Sequence, residues 1–364
     1  MILRPSKAQT WISCPGAMGF IERNGIVEKP RTGTDYAALG TAAHKYAESA
    51  ILALRWPDKY KERANELGAA LPADVRRVAD RYVQWADEFT FGRERMFWGV
   101  ERSVPLWYEP EHRGTVDFFA VDGRDLVVVD FKSGREPVPA ERNPQVTIYA
   151  IALYEELKGE IDVDGVVIGI MQPIEQREPS FWRFTTDELY AFKREITAAA
   201  IEARQPLVEG RLVPGEKQCK YCPAKAVCPA IERQMRADFN TGGDLETVSD
   251  DRLFAVLENV KVYRAWLDGI EDHVREMDTD TLMRRGWKLI QGARRFNWAA
   301  EEDEVAGYLQ RQGVDPYQRK LKTPSMVRDE IGDDAIAGMY QTDFNRPSLV
   351  PLSRRGRPVS KKDD

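Results

Sequence analysis

The chain has 364 residues, of which 43% are hydrophobic and 31% are charged, and its formal net charge is −6 at pH 7. At ~100–200 residues per domain, this length predicts two folded units. The acidic balance argues against a protein that coats nucleic acid nonspecifically, so any contact with DNA has to come from local basic clusters. We find no secretory signal and no apolar run long enough to span a bilayer, which predicts a cytoplasmic protein with no membrane partner.

The N-terminal part is predicted to be helical. Apolar residues at three- and four-residue spacing predict helices from Lys7 to Phe20, from Gly40 to Leu54 and from Ala73 to Phe91. In the second of these, Thr41 is the predicted N-cap and His44 lies in the first turn. A single helical histidine is more often structural than a metal ligand.

A β-hairpin follows a strand predicted from Phe97 to Trp107. Residues 116–121 and 126–131 are rich in β-branched and aromatic side chains, and the segment Asp122-Gly123-Arg124-Asp125 separates them. A two-residue loop at Gly123-Arg124, or a four-residue loop including both aspartates, sets Asp117 opposite Asp130. A turn at Asp122-Gly123 would instead set Asp117 opposite Val128.

The hairpin concentrates charge at one end of an apolar sheet. Lys132 shares a face with Asp130 because the two residues are two apart on a strand. Two like charges across a ladder destabilise it by up to ~1 kcal/mol, unless a cation lies between them. We therefore predict a metal site. The alternative is that both aspartates cap strand ends and Lys132 neutralises them. Glu101, on the preceding strand, faces either the same cleft or solvent.

A second helix start lies downstream of the hairpin. Asn143 is the predicted N-cap and Pro144 the first residue of a helix that continues to Leu157. Gln145 and Tyr149 are four residues apart and share one helical face, which either enters the site or packs on the sheet. Further elements are then predicted in this order: a strand at Gly165–Met171, a strand at Phe181–Phe184 and a helix at Thr186–Arg204.

The order of these motifs carries a family resemblance. Gly40-x-x-x-His44, Gly114-x-x-Asp117, Asp130-x-Lys132 and Gln145-x-x-x-Tyr149 together resemble the RecB-like branch of the PD-(D/E)XK nuclease superfamily. The resemblance implies an α/β fold with a restriction-endonuclease-like core, in which helices flank a mixed sheet. Asp130 stands at a motif position where glutamate is commoner. Aspartate is a shorter ligand by one methylene, and the D/E alternation of the motif permits it.

The resemblance also implies a chemistry. One or two Mg2+ or Mn2+ ions would be held by Asp117, Asp130, the carbonyl of Phe131 and His44. Lys132 would position or deprotonate the attacking water, and Gln145 and Tyr149 would orient Lys132 or hold a phosphate oxygen. The expected activity is that of a deoxyribonuclease, specifically an exonuclease acting on single-stranded DNA or on free ends. The alternative is a non-catalytic iron–sulfur accessory protein of recombination that binds nucleic acid.

The four cysteines form a separate pattern. Cys14 stands near the N-terminus, and Cys219, Cys222 and Cys228 form C-x2-C-x5-C after the predicted core. This arrangement resembles the iron–sulfur staple of CRISPR-adaptation nucleases and RecB-like exonucleases, which implies a [4Fe–4S] cluster. Four thiolates also suit tetrahedral zinc, which stays the alternative. Disulfides are not expected in a reducing compartment.

The C-terminal part is predicted to be separate from the nuclease domain. We expect a nuclease domain at residues 1–236, a linker at 237–249, a mainly helical region at 250–344 and a mobile tail at 345–364. A basic, aromatic hairpin from Trp287 to Trp298 either contacts DNA or covers a small core. Its candidate DNA contacts are Arg285, Trp287, Lys288, Arg294 and Arg295. This half resembles a family of phage-encoded RecB-like nucleases, which implies phage recombination or replication proteins as partners.

Overall fold

The fold is α/β, as predicted, with a mixed five-stranded sheet flanked by helices. A computed structural model describes residues 2–27, 36–93, 96–134, 137–173, 178–206, 211–239, 250–289 and 302–312. The chain forms two compact units, Met1–Gly292 and Ala293–Asp364, and the sheet belongs to the first. No helix within the described ranges is both long enough and apolar enough to cross a membrane.

The sheet follows the chain order from edge to edge. Its strands are β1 Phe97–Pro105, β2 Arg113–Asp122, β3 Asp125–Phe131, β4 Gly165–Met171 and β5 Ser180–Thr185. β3 and β4 are parallel, and all other neighbours are antiparallel. A parallel pair needs a long crossover, and the segment between β3 and β4 supplies it as a helix. The C-terminal end of β3 therefore lies near the start of that crossover helix.

Twelve α-helices are described in the two units. In the first unit they are α1 Ala8–Ser13, α2 Ala17–Arg23, α3 Tyr36–Arg55, α4 Pro57–Ala69, α5 Ala73–Thr90, α6 Pro144–Leu157, α7 Thr186–Ala203, α8 Glu216–Lys220, α9 Pro229–Phe239, α10 Asp250–Arg275 and α11 Thr279–Arg284. The second unit contains α12, Glu302–Arg311. Short 3-10 helices precede α1 and α9, at Pro5–Lys7 and Lys225–Val227.

Each face of the sheet covers an apolar core. On one face, Val128 and Ile168 pack with Ile148 of α6 and with Trp11 of α1. On the other face, the aromatic and aliphatic side chains of β2 and β3 pack against α3 and α5. Burial of each large apolar side chain contributes about 1.5–3 kcal/mol, so the strands are held firmly between the helices.

Several predicted elements are confirmed. α5, α6, β4 and α7 agree with the prediction to within one residue at each end, and β5 exceeds it by one residue at each end. The Asn143 side chain caps α6 by accepting hydrogen bonds from the backbone N–H groups of Gln145 (3.1 Å) and Val146 (3.3 Å). Pro144 occupies the first helical position, where its missing N–H costs nothing. The helix that carries Gln145 therefore starts where the sequence indicates.

Two helix predictions at the N-terminus are wrong. The predicted helix from Lys7 to Phe20 is broken at Cys14, whose backbone has φ −137° and ψ 81°. The residue before a proline is pushed out of the helical region, and Pro15 follows Cys14. Thr41 is not an N-cap, because α3 begins at Tyr36 and the helix-forming residues before Gly40 continue it backwards. α4 was not predicted.

The helix α10, which follows the predicted nuclease domain, belongs to the same compact unit as the sheet. α10 packs through Val262 and Tyr263 against Cys219 and Ile231, within the same compact unit as the sheet. The predicted boundary at residue 236 stays a prediction, and α9 continues to Phe239. The greater part of the predicted hairpin, residues 290–298, and the predicted tail at 345–364 lie outside the described residues.

Candidate active site

The β2–β3 hairpin brings the two motif aspartates together. Its pairs run from Asp122 opposite Asp125 to Phe118 opposite Val129, where the ladder ends, so Asp117 and Asp130 are the next residues of the two strands in that register. The loop is Gly123-Arg124, and Gly123 has φ +60°, a conformation that glycine adopts without steric cost. The first of the two registers predicted from sequence is therefore confirmed.

Glu101 continues the same row of carboxylates onto β1. Its neighbours in the strand pair Val100 with Phe118 and Arg102 with Val116, so Glu101 lies opposite Asp117. Its backbone has φ +47°. A non-glycine residue in this region stores about 1–3 kcal/mol of strain, and such residues concentrate at functional sites.

The strained residue also changes the direction of the side chains along β1. Val100 packs on the α3 and α5 side of the sheet, whereas Val104 packs on the α6 side. Regular alternation would put residues four apart on one face. The irregular backbone at Glu101 therefore lies between two regular stretches of strand that use opposite faces.

His44 of α3 completes a group of three possible metal ligands. Its Nδ1 lies 3.4 Å from Oδ1 of Asp117 and 3.5 Å from Oε1 of Glu101. One ligand atom from each of the three residues lies within 4.8 Å of the others. Burial disfavours the imidazolium, but the negative charges and hydrogen bonds of Asp117 and then Glu101 outweigh this and raise the pKa of His44 to about 10. The site thus attracts positive charge strongly.

Backbone and aromatic contacts fix the position of Asp117. Its Oδ2 accepts a hydrogen bond of 2.7 Å from the backbone N–H of Phe131, which leaves Oδ1 directed at His44. The Phe131 ring packs beside the His44 ring, with 5.0 Å between centroids, and stacks on Tyr82 of α5 at 4.6 Å. These rings form the apolar floor of the site.

Asp130, Lys132 and Gln145 form a buried polar group beside this cluster. Gln145 donates a hydrogen bond of 3.0 Å to Oδ1 of Asp130 and accepts one of 3.0 Å from Nζ of Lys132. Nζ of Lys132 also lies 2.8 Å from Oδ2 of Asp130, as an ion pair. The ammonium of Lys132 is therefore the partner of Oδ2, and the amide of Gln145 is the partner of Oδ1.

The charges of this group are coupled. Burial raises the pKa of Asp130, and the ammonium of Lys132 opposes that rise. Burial disfavours the charged ammonium of Lys132, but Asp130 outweighs this and raises its pKa above the usual range. Lys132 is therefore an ammonium at neutral pH, which suits it to orient a water or to stabilise negative charge rather than to accept a proton.

Tyr149 lies one turn after Gln145 on α6 and closes the site against β2. A side chain at Gly114 would meet Cε1 of the Tyr149 ring at 2.9 Å. Glycine is therefore needed three residues before Asp117 to admit the ring. Burial, and then the charge of Asp130, raise the pKa of Tyr149, which keeps its hydroxyl a neutral donor.

The four cysteines meet in one pocket, some distance along the chain from the carboxylates. Cys14, Cys219, Cys222 and Cys228 line it together with apolar residues of the α1–α2 break and the α8–α9 region. All four are free thiols. The Sγ of Cys14 accepts a hydrogen bond of 3.2 Å from the backbone N–H of Val213, and that of Cys219 accepts one of 3.3 Å from Gly215.

The sulfurs in this pocket do not form a close group. Within the described ranges, no three of them lie within 4.8 Å of one another. Burial raises the pKa of Cys14 and Cys219, and raises that of Cys222 to about 12.

Comparison with known proteins gives a family. The family described as "Protein of unknown function (DUF2800)" matches residues 1–355. The chain belongs to this family. No curated protein matches the chain. A solved structure, "Crystal structure of SSO0001", matches with 11% identity over 59% of this chain and 95% of that chain, at a TM-score of 0.21. A similarity at that level carries no argument about activity.

In this DUF2800 chain, the structure brings together most of the residues singled out from sequence. His44, Asp117, Asp130, Phe131, Lys132, Gln145 and Tyr149 surround one site, and the four cysteines surround a second. Arg285, Trp287 and Lys288 follow α11, and Trp287 is 69% exposed. Arg294 and Arg295 lie outside the described residues.

Two residues near the site carried no sequence motif. Glu48 follows His44 by one helical turn, and its pKa is raised by burial and by the charge of Glu101. The i, i+4 spacing from His44 could have indicated it. Tyr82 is buried against Phe131. Nothing in the pattern of α5 distinguishes it from the other core aromatic residues of that helix.

Proposed function

We propose that this chain is a metal-dependent phosphodiester hydrolase, specifically a cytoplasmic deoxyribonuclease acting as an exonuclease in phage or bacterial DNA processing. Its substrate would be DNA that is single-stranded or has free ends, and its partners would be phage recombination or replication proteins. One observation carries the proposal. The His44, Glu101 and Asp117 cluster stands next to the buried Asp130, Lys132 and Gln145 group. The RecB-like motif order supports the same activity.

The residues at this site fit a hard divalent cation. Carboxylate oxygens suit Mg2+ and Mn2+, and one imidazole nitrogen favours Mn2+. His44, Glu101 and Asp117 would hold the ion, together with Asp130 and the carbonyl of Phe131. Such a cation would supply a bound water of lowered pKa and a positive charge beside the scissile phosphate.

Lys132 is the proposed catalytic cation of the protein itself. Its ammonium is held by Asp130 and by the side-chain oxygen of Gln145, so two acceptors fix its position. A fixed positive charge in a partly buried site stabilises negative charge that develops on a phosphate more than it would in water. Gln145 acts as a positioning residue, because it contacts both members of the ion pair.

A [4Fe–4S] cluster on the four cysteines is proposed as a structural staple, with zinc as the alternative. It would join Cys14 to the Cys219–Cys228 segment across about 200 residues of chain. α10 packs on the same region through Val262 and Tyr263. The staple would thus hold the N-terminal helices to the end of the core.

Digestion of DNA tests the proposal. Protein with its cluster intact would be incubated with linear DNA labelled at either end, single- or double-stranded, and with closed circular DNA, in Mn2+ or Mg2+. An exonuclease degrades linear DNA, spares the circle and stops when the metal is chelated. Binding of DNA without cleavage of any substrate in either metal would favour the alternative of a non-catalytic accessory protein.

A further inference from the structure

Tyr82 of α5 has a buried hydroxyl group without a partner. The residue is 2% exposed, and its Oη has no hydrogen-bond partner among the described atoms. Its ring stacks on Phe131 at 4.6 Å with an interplanar angle of 9° and on Trp85 at 6.1 Å with an angle of 11°. A buried polar group that makes no hydrogen bond costs free energy in the absence of a ligand.

The location of this hydroxyl relates it to the carboxylates. Phe131, on which Tyr82 stacks, contacts the His44 ring and donates its N–H to Asp117. Phe131 therefore links Tyr82 to His44 and Asp117, two of the proposed ligands of the cation. Burial raises its pKa, and the charges of Asp117, Glu101 and Asp130 raise it further, in that order. A phenol is protonated at neutral pH, so the hydroxyl is available as a donor.

We propose that Tyr82 is a ligand-binding residue of this site, whose hydroxyl donates a hydrogen bond to an oxygen that enters with the ligand. This inference rests on the proposed cation site and deepens it. The acceptor is an oxygen atom either of the cation's hydration shell or of the bound phosphodiester, and both offer the same chemistry to a phenol. The orphaned hydroxyl is thus satisfied only in the loaded protein.

A role in core packing alone does not account for the hydroxyl. Phenylalanine would fill the same space, stack on the same two rings and bury no unpaired donor. A second tyrosine provides a matched comparison. Tyr108 is also buried, and its hydroxyl also lacks a described partner, but it packs against Trp11 and Trp107. Burial raises its pKa, and the charged groups that act on it are Glu109 and Arg204, not the site carboxylates.

The test compares Tyr82→Phe with Tyr108→Phe in the full-length protein with its cluster intact. Thermal unfolding without divalent metal reports on the fold. Titration calorimetry with Mn2+ alone measures the affinity for the cation, which depends on contacts to its hydration shell. Binding of a fluorescent single-stranded oligonucleotide in Mn2+, with each variant in a Lys132→Ala background that prevents cleavage, reports on the phosphodiester.

We expect Tyr82→Phe to unfold at the same temperature as wild type or higher, and to lose about tenfold in one of the two affinities. Weaker Mn2+ binding assigns the acceptor to the hydration shell, and weaker oligonucleotide binding alone assigns it to phosphate. Tyr108→Phe should change neither the affinity for Mn2+ nor the affinity for the oligonucleotide. Unchanged affinities in Tyr82→Phe, an equal loss in Tyr108→Phe, or a lower metal-free unfolding temperature of Tyr82→Phe would overturn the inference. If wild type neither binds Mn2+ nor cuts DNA, the proposed function itself fails.

Discussion

Glu101 and Asp117 lie opposite each other on neighbouring strands, and Nδ1 of His44 is within 3.5 Å of a carboxylate oxygen of both. Two carboxylates across an antiparallel ladder repel each other, and Glu101 adds a strained backbone to that repulsion. The fold tolerates both because the sheet on either side is packed between helices. In the metal-free protein the imidazolium of His44 offsets this repulsion, and a bound divalent cation would take over that role.

The strain at Glu101 predicts a difference between two substitutions. Glu101→Gly and Glu101→Ala both remove the carboxylate, but only glycine adopts φ +47° without steric cost. We expect Glu101→Gly to be more stable than Glu101→Ala by about 1 kcal/mol in urea unfolding. Both variants should bind Mn2+ more weakly than wild type in calorimetry. Equal stability of the two variants would show that the backbone at this position is not strained in solution.

The raised pKa of His44 predicts how metal-free stability depends on pH. Its pKa in the folded protein is about 10, above the 6.5 of a free imidazole. The imidazolium therefore stabilises the fold fully below about pH 6.5, and this contribution is lost as the pH rises towards 10. The free energy of unfolding of metal-free wild type, measured at pH 6.5 and pH 9, should fall more steeply than that of His44→Ala. Parallel pH profiles would contradict the ion pairs at His44.

The cysteine pocket predicts the metal content and its effect on folding. Anaerobically purified protein should be brown and contain about four irons per chain, because four thiolates line one pocket. Cys222→Ser should lose iron and destabilise the whole first unit, since the proposed staple would close a loop of about 200 residues. Lys217→Ala, at an exposed position of α8, is the control. One zinc and no iron after iron-replete anaerobic expression would favour the zinc alternative.

The packing of α10 changes what is expected of truncated chains. A break near residue 236 predicts that a fragment ending at Asn240 keeps the cluster and some cleavage. α10, however, contributes Val262 and Tyr263 to the apolar cluster around Cys219. We now expect the fragment 1–240 to lose iron and solubility and a fragment 1–292 to keep both, as judged by iron analysis and size-exclusion chromatography. A soluble 1–240 fragment with full iron content would instead support the domain boundary predicted from sequence at residue 236.

Local signals in the sequence predicted the centre of this molecule well. The alternation of residues 116–131, with a glycine turn between them, determined the register that faces Asp117 with Asp130. Asn143-Pro144 determined where α6 starts, and hence that Gln145 reaches Asp130. Both signals involve residues that are close in sequence, where side-chain periodicity and capping chemistry decide the structure.

The remaining features depend on contacts between distant segments. The left-handed backbone of Glu101 has no sequence signature, because non-glycine residues adopt it only under tertiary constraint. The role of Tyr82 depends on its stacking with Phe131, 49 residues later in the chain. The break at Cys14 was indicated locally by Pro15, but the helical periodicity on either side concealed it. The packing of α10 on the cysteines likewise follows from tertiary contacts alone.

The most direct test of the central claim is the effect of Lys132→Ala on DNA cleavage in Mn2+. The substitution removes the ammonium held by Asp130 and Gln145 but leaves His44, Glu101 and Asp117 to bind the cation. Lys193→Ala, which removes a lysine paired with Glu155 on α6, is the matched control. We predict that Lys132→Ala cuts end-labelled linear DNA slower by about 10²-fold or more while Mn2+ and DNA binding persist. Cleavage by Lys132→Ala at the wild-type rate would contradict the assignment of this site as catalytic.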